Sequence, residues 1–269
     1  MSDNATLAPA VVRQRIRDGD WTGVTTGAAL GNVQANLVVL RAEHANEFAE
    51  FCAANPTALP LLEATAPGRP DGLAIAPEAD TRTDLPSYDV HHDGELAYRT
   101  PSLHDVWADD FVAFFLGCSF SAENQLLRAG VTLRHLVEGQ GVPMFTTSQM
   151  CTPVGRFHGP VVVSMRPIRK AEVDRAVEVT ERLPLAHGAP LHIGEPTQIG
   201  IPDLGQPDWG DVLIPRDDEV PVFWACGVTP QAVIRAVRPK LAITHTPGHM
   251  FITDLDDEEI AGRTTLAAR

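Results

Sequence analysis

Apolar and polar positions along the chain alternate in ways that predict distinct elements. VVRQRIRDG (11–19) reads as a short helix and NVQANLVVL (32–40) as a strand. HANEFAEFCAAN (44–55) is an amphipathic helix with Phe48, Phe51 and Cys52 on neighbouring turns, and Pro56 and Pro60 break the pattern after it. The stretch 64–83, rich in Pro, Gly and Asp, reads as a surface loop. YDVHHDGELAYRT reads as a hairpin turning at Asp93-Gly94. Val106, Trp107, Phe111, Phe114 and Phe115 recur at helical spacing, with Ser102 as the cap and Gly117 as a left-handed stop. Ser121 then starts another helix, so GCSFS forms a tight corner between two helices.

The second half repeats one pattern. PVVVSMRPI, KAEVDRAVEVTERL and GAPLHIG read as strand, helix and strand. VPVFWACG, TPQAVIRAVR and KLAITH do the same, with Thr229 as N-cap and Pro230 at the first helical position. Both units fit β-α-β crossovers. The expected fold is therefore α/β, with a mixed, partly parallel sheet built from β-α-β units. A single catalytic domain over 1–269 is expected, divisible into closely packed lobes at 1–155 and 156–269.

Composition narrows the partners. The 269 residues are 44% apolar and 21% charged, enough for a sizeable core and against disorder. The net charge of -14 disfavours nucleic acid and anionic membrane surfaces as partners. MSDNATLAPA lacks a leader pattern. The apolar window FVAFFLGCSF is about half the ~20 residues a membrane span needs. Cys52, Cys118, Cys151 and Cys226 form no CxxC pair, which fits a reducing cytoplasm.

Four places concentrate reactive groups. The GCSFSAEN corner gathers Cys118, Ser119, Ser121 and Glu123 at a helix start, where free N–H groups favour an anion. Its alternative is a cap beside a core cysteine. Cys226 ends a strand before a helix, where the dipole favours a thiolate; its alternative is a small core residue. The loop 191–211 holds His192, Glu195, Asp203, Asp208 and Asp211, as oxygen ligands, as a general base beside His192, or as plain turn chemistry. Finally, ITHTPGHMFITD (243–254) fits a type II turn at Thr246–His249 joining two strands. As a hairpin wall it would make His245 the acid or base and His249 an orienting group or gate, with Asp254 capping the hairpin; its alternative is a turn decorated by two histidines. Arg166 in SMRPI ends a strand and is a candidate second contact for a substrate carboxylate; its alternative is an anchor for the following loop. His192, Cys226 and His245 are expected at the carboxyl ends of neighbouring strands. No P-loop, G-x-G-x-x-G or G-x-S-x-G is present.

Taken in order, LGCSFSAE, GVPMFTT, GPVVVSMRP, HGAPLHIGEP, IGIPDLGQPDWGD, VPVFWACGVTPQ and THTPGHMFITD resemble the D-glutamate cyclase family. QANLVVL, FCAANP and RTDLPSY fit it too, so the resemblance covers nearly the whole chain. Bacterial members are filed as hydro-lyases of uncharacterised function. Ala122 replaces a bulky aromatic common in relatives, and Glu195 stands where Asp is usual. The resemblance implies a carbon–oxygen lyase and, by analogy with a mitochondrial relative, conversion of D-glutamate to 5-oxo-D-proline with loss of water. It carries over no catalytic assignments.

The expected function is thus a hydro-lyase of amino acid metabolism acting on a small amino or hydroxy dicarboxylic acid. His245, His192, Cys226 and Glu123 are the catalytic candidates. Cys118, Ser119, Ser121, Arg166 and His249 are the substrate-binding ones. No cofactor is expected, with a divalent metal left open, and a homo-oligomer is compatible with the sequence. Two alternatives stay open: a metal-dependent hydrolase using His192, His245, His249 and the acidic loop, and a non-catalytic sensor of a small carboxylate.

Overall fold

The computed structural model describes residues 3–266. Within them the strands in chain order are β1 (Asn32–Arg41), β2 (Leu61–Ala64), β3 (Asp71–Leu73), β4 (Ala76–Asp80), β5 (Tyr88–His92), β6 (Glu95–Thr100) and β7 (Phe111–Gly117). There follow β8 (Met144–Met150), β9 (Pro160–Arg169), β10 (His192–Ile193), β11 (Glu219–Ala225), β12 (Leu241–His245) and β13 (Phe251–Asp256). The helices are α1 (Pro9–Arg17), α2 (Ala42–Ala54), α3 (Glu123–Arg128), α4 (Arg134–Glu138), α5 (Val173–Glu181) and α6 (Thr229–Val237). None is long and apolar enough to cross a membrane.

A seven-stranded sheet runs β2-β7-β1-β12-β5-β6, with β13 also on β1. A four-stranded sheet runs β10-β11-β9-β8, and β3 pairs β4. Every strand pairing is antiparallel. This overturns the expected partly parallel sheet of β-α-β units. The strands and helices of both expected units exist, but their pairing differs. β9 and β10 do share a direction, yet β11 lies between them and runs the other way. The second unit, β11-α6-β12, leaves one sheet and enters the other. A strand-helix-strand pattern states which elements follow each other, not which strand fills the gap between them.

The helix expected around Val106–Gly117 is also absent. Its second half is β7, buried at every position. Phe111, Ala113 and Phe115 enter one apolar core, whereas Val112, Phe114 and Leu116 enter the other. A strand covered on both faces shows no polar alternation, so its run of apolar residues mimics a buried helix. β1 sits beside it with the same division of Leu37 and Val39 from Val38 and Leu40. Gly117 is not left-handed. It is required because a Cβ there would lie 1.6 Å from the carbonyl oxygen of Leu185.

The supposed surface loop 64–83 contains β3 and β4. The β5–β6 hairpin is as expected, with Asp93 and Gly94 both at positive φ, the demand of a type I′ turn. Thr229 does not cap α6, whose N-cap is Val228. Its hydroxyl instead accepts from the Val162 N–H at 3.0 Å and so ties α6 to β9.

Candidate active site

The end of β7, the turn after it and the middle of β9 meet in a polar cluster inside the protein. Ser164 and Arg166 are two residues apart on β9 and therefore point to one face. The chain leaves β7 through a 3-10 turn, Ser119–Ala122, and enters α3 at Glu123. Arg166 Nη2 donates to Glu123 Oε1 at 2.8 Å and to Ser119 Oγ at 3.2 Å, and Nη1 donates to Ser164 Oγ at 3.3 Å. The same Glu123 oxygen is 2.8 Å from Nε2 of His135, on α4. The aromatic rings of Phe120 and Trp224 flank the guanidinium at 5.9 and 5.7 Å. Glu123 and His135 are fully buried and Arg166 is 2% exposed.

Burial alone would push the Glu123 carboxyl up. Its electrostatic and hydrogen-bonding contacts with His135 and Arg166 outweigh burial and hold the group below its ordinary value. Glu123 is therefore an anion deep in the protein, compensated by an adjacent cation. Glu123 Oε2, Arg166 Nε and His135 Nδ1 have no hydrogen-bond partner in the protein. Buried polar atoms are almost always paired, so three orphans in one cluster mark it as a place for chemistry.

Two cysteines border the cluster. Cys118 lies within electrostatic reach of Cys226, Arg166 and Glu123. Burial raises the Cys226 thiol to about 11 and raises Cys118 further. The thiolate expected at Cys226 from a helix dipole does not form near neutral pH, because desolvation outweighs a partial charge. His187 also feels Arg166. It is fully buried, bonded through Nδ1 to the Thr57 carbonyl at 2.8 Å, and lowered to about 4 chiefly by burial.

The Cys118–Ser121 corner is not an open anion site. Phe120 N–H is taken by Cys118 Sγ and Ser121 N–H by the Cys118 carbonyl. Ser121 Oγ accepts from Gln34 N–H at 3.0 Å and so staples β1 to the corner. Ser121→Ala is expected to cost about 1–3 kcal/mol by orphaning that N–H. Urea denaturation checks the value, and unchanged stability would show that the staple is idle.

The remaining candidates lie elsewhere. His245 ends β12, an interior strand of the larger sheet, and its Nδ1 is 3.3 Å from both N and O of Leu37. Burial lowers it to about 4. His192 opens β10 in the smaller sheet and bonds the Glu195 carbonyl at 2.8 Å. The expected row of His192, Cys226 and His245 at carboxyl strand ends is therefore not formed. Thr246–His249 does make a turn, with Gly248 at φ +83° and a 2.9 Å bond from His249 N to Thr246 O. The flanking strands do not form a hairpin. Both pair with β1 in the same direction, one after the other. His249 bonds the nearby Pro247 carbonyl at 3.0 Å. Asp254 clamps Arg13 of α1 at 2.8 and 3.0 Å rather than capping a hairpin.

The acidic loop is absorbed by local backbone. Asp203 accepts from Gly205 N–H, Asp208 from Thr146 N–H and Asp211 from Gly141 N–H. Among the described residues no group of three or more His, Cys, Asp or Glu is placed to hold a metal ion. Sequence patterns single out neither His135 nor His187. His135 lies in VTLRHLVEG, a short stretch without a motif, and only folding brings it to Glu123.

Residues 112–254 match the family model described as D-glutamate cyclase, a span that contains Glu123, His135, Arg166 and His187. The chain belongs to the D-glutamate cyclase family. A relative from Stutzerimonas stutzeri named "Putative hydro-lyase" is 52% identical over 94% of this chain and 96% of its own length. Relatives of the same printed name from Bacillus licheniformis and Geobacillus kaustophilus are each 51% identical. They cover 94% and 97% of this chain, and 97% and 99% of their own lengths, respectively. In this family member the buried cluster thus lies inside the matched span, whereas α1, α2 and all of β1–β6 precede it.

Proposed function

We propose that this protein is a carbon–oxygen lyase that removes water from a small amino or hydroxy dicarboxylic acid, with D-glutamate to 5-oxo-D-proline as the specific reaction. The observation that carries the reading is one carboxylate oxygen of Glu123 shared at 2.8 Å by an imidazole and a guanidinium. Water elimination needs a group to take a proton, a group to return it to the departing oxygen, and a cation near a carboxylate. The cluster holds those groups in a dry setting, where each electrostatic interaction is stronger than in water. The relatives' printed hydro-lyase names support the same class of reaction.

Incubation with D-glutamate, L-glutamate and small hydroxy acids tests the reading by mass spectrometry. D-glutamate is expected to lose one water. An Arg166→Gln variant, with the cation gone, is expected to turn over at least about 10²-fold more slowly. If no acid in the panel loses water, the reading fails.

A further inference from the structure

A cavity of about 680 Å³ opens against α4. Its walls are largely apolar, with Leu133 and Leu136 among them; Thr26, His135, Gln140 and Asp211 are the polar side chains of the lining, and the Asp211 carboxylate is engaged by the Gly141 N–H. His135 joins this cavity to the buried cluster. Nε2 is held by Glu123, and Nδ1 has no partner in the protein. The Oε1 atom of Gln140 is likewise unpartnered. A carboxylate only accepts hydrogen bonds, so Glu123 places the ring proton on Nε2 and leaves the lone pair on Nδ1. Arg166 fixes Glu123 from the other side at 2.8 Å. A buried carboxylate that orients an imidazole and sets its tautomer is the arrangement of a general base.

We infer that His135 is the acid–base group of the elimination, and that this cavity is the chamber where it meets the small carboxylic acid. Glu123 and Arg166 are its positioning residues. The inference rests on the lyase reading above. With glutamate, the amine attacks the γ-carboxyl carbon, so a C–N bond forms and a C–O bond breaks. Nδ1 takes the two protons the ammonium group gives up, one after the other, and passes both to the departing oxygen, which leaves as water. With a hydroxy acid, one proton comes off the carbon beside the carboxylate. The hydroxyl on the next carbon receives it and leaves. Neither route consumes an outside acid or base.

The test uses the full-length protein. His135→Gln is expected to lower kcat by about 10²–10⁴-fold with little change in KM, and to remove the low-pH limb of the pH–kcat profile. Glu123→Gln lets the tautomer reverse, so it lowers kcat and moves that limb without removing it. Val137, on the cavity lining and 78% exposed, gives variants that leave the buried groups alone. Val137→Glu is expected to raise KM about tenfold by repelling the substrate carboxylates, while Val137→Lys does not. Near-wild-type kcat in a folded His135→Gln overturns the inference and leaves the lyase reading intact, and so does a KM that neither Val137 variant moves. If the wild type dehydrates none of the acids, the lyase reading fails by itself. The site is then decided by NMR on protein with ¹⁵N-labelled histidine, as it is if His135→Gln does not fold. Added D-glutamate is expected to shift the His135 Nδ1 resonance, and an unmoved resonance overturns the inference.

Discussion

Lowering the pH from 7 to 4 is expected to remove about 6 kcal/mol of stability through two buried histidines. His187 and His245 both titrate near 4 in the folded protein, against an ordinary value of 6.5, and burial is the largest cause for each. Backbone contacts at Thr57 and Gly117 oppose the shift at His187, and the Arg166 charge adds to it. At His245 the Leu37 backbone and the Asp89 charge oppose it, and His249 adds to it. As pH falls through 6.5 the unfolded chain takes up protons that the folded protein refuses. Stability is thus fully present above 6.5 and drains away until about 4, where the folded imidazoles also charge. Each site contributes about 3 kcal/mol, and the sum rivals the whole stability of a typical domain, about 5–15 kcal/mol.

Other buried groups modify the curve in known directions. His91, also lowered by burial, adds to the loss. Asp84 is raised, chiefly by burial, so its folded carboxyl takes up a proton first and returns some stability as pH approaches 3.8. Glu123 is held low and adds to the loss only below about its ordinary 4.5. Urea denaturation at intervals from pH 7 to pH 4 measures the sum. His245→Asn, neutral in both states, should remove about half of the slope. A flat profile from 7 to 5 in the native protein would mean that these rings are not buried neutral.

Breaking the Glu123–Arg166 pair should cost nearly as much. Arg166→Met leaves a fully buried carboxylate facing only His135, and Glu123→Leu leaves a guanidinium held by two serine hydroxyls. Removing one partner of a buried pair typically costs about 3–5 kcal/mol, because the other charge stays desolvated. The double variant Glu123→Leu/Arg166→Met is expected to recover much of this, since two apolar side chains of similar length need no compensation. The double-mutant cycle should therefore show a coupling of at least about 2 kcal/mol. Additive losses would show that the two charges are stabilised independently, and the view of the cluster as one unit would fall. The same double variant should be inactive, which separates stability from chemistry at this site.

Much of this protein is legible from local sequence. The Asp93-Gly94 turn needs two residues at positive φ, and a two-residue loop between alternating runs states that directly. The helical face of HANEFAEFCAAN, the type II turn at Thr246–His249 and the grouping of Cys118, Ser119 and Glu123 in one short stretch are also set by neighbours in the chain. The motifs that mark the family are contiguous, so they too survive without coordinates. What the sequence could not state is pairing across distance. β7 has helical spacing in its large side chains and becomes a strand because β1 and β2 flank it and two cores cover its faces. ITHTPGHMFITD has a turn at its centre and still is not a hairpin, because β1 offers one long edge along which β12 and β13 line up in succession. His135 became a candidate only when α4 packed its ring onto Glu123, 12 residues earlier in the chain. His192 and His245 lost their shared site when their strands entered different sheets. Local propensity depends on a few neighbouring dihedrals, whereas strand order and the burial of charge depend on which distant surfaces the chain brings together. Only the tertiary structure decides the second.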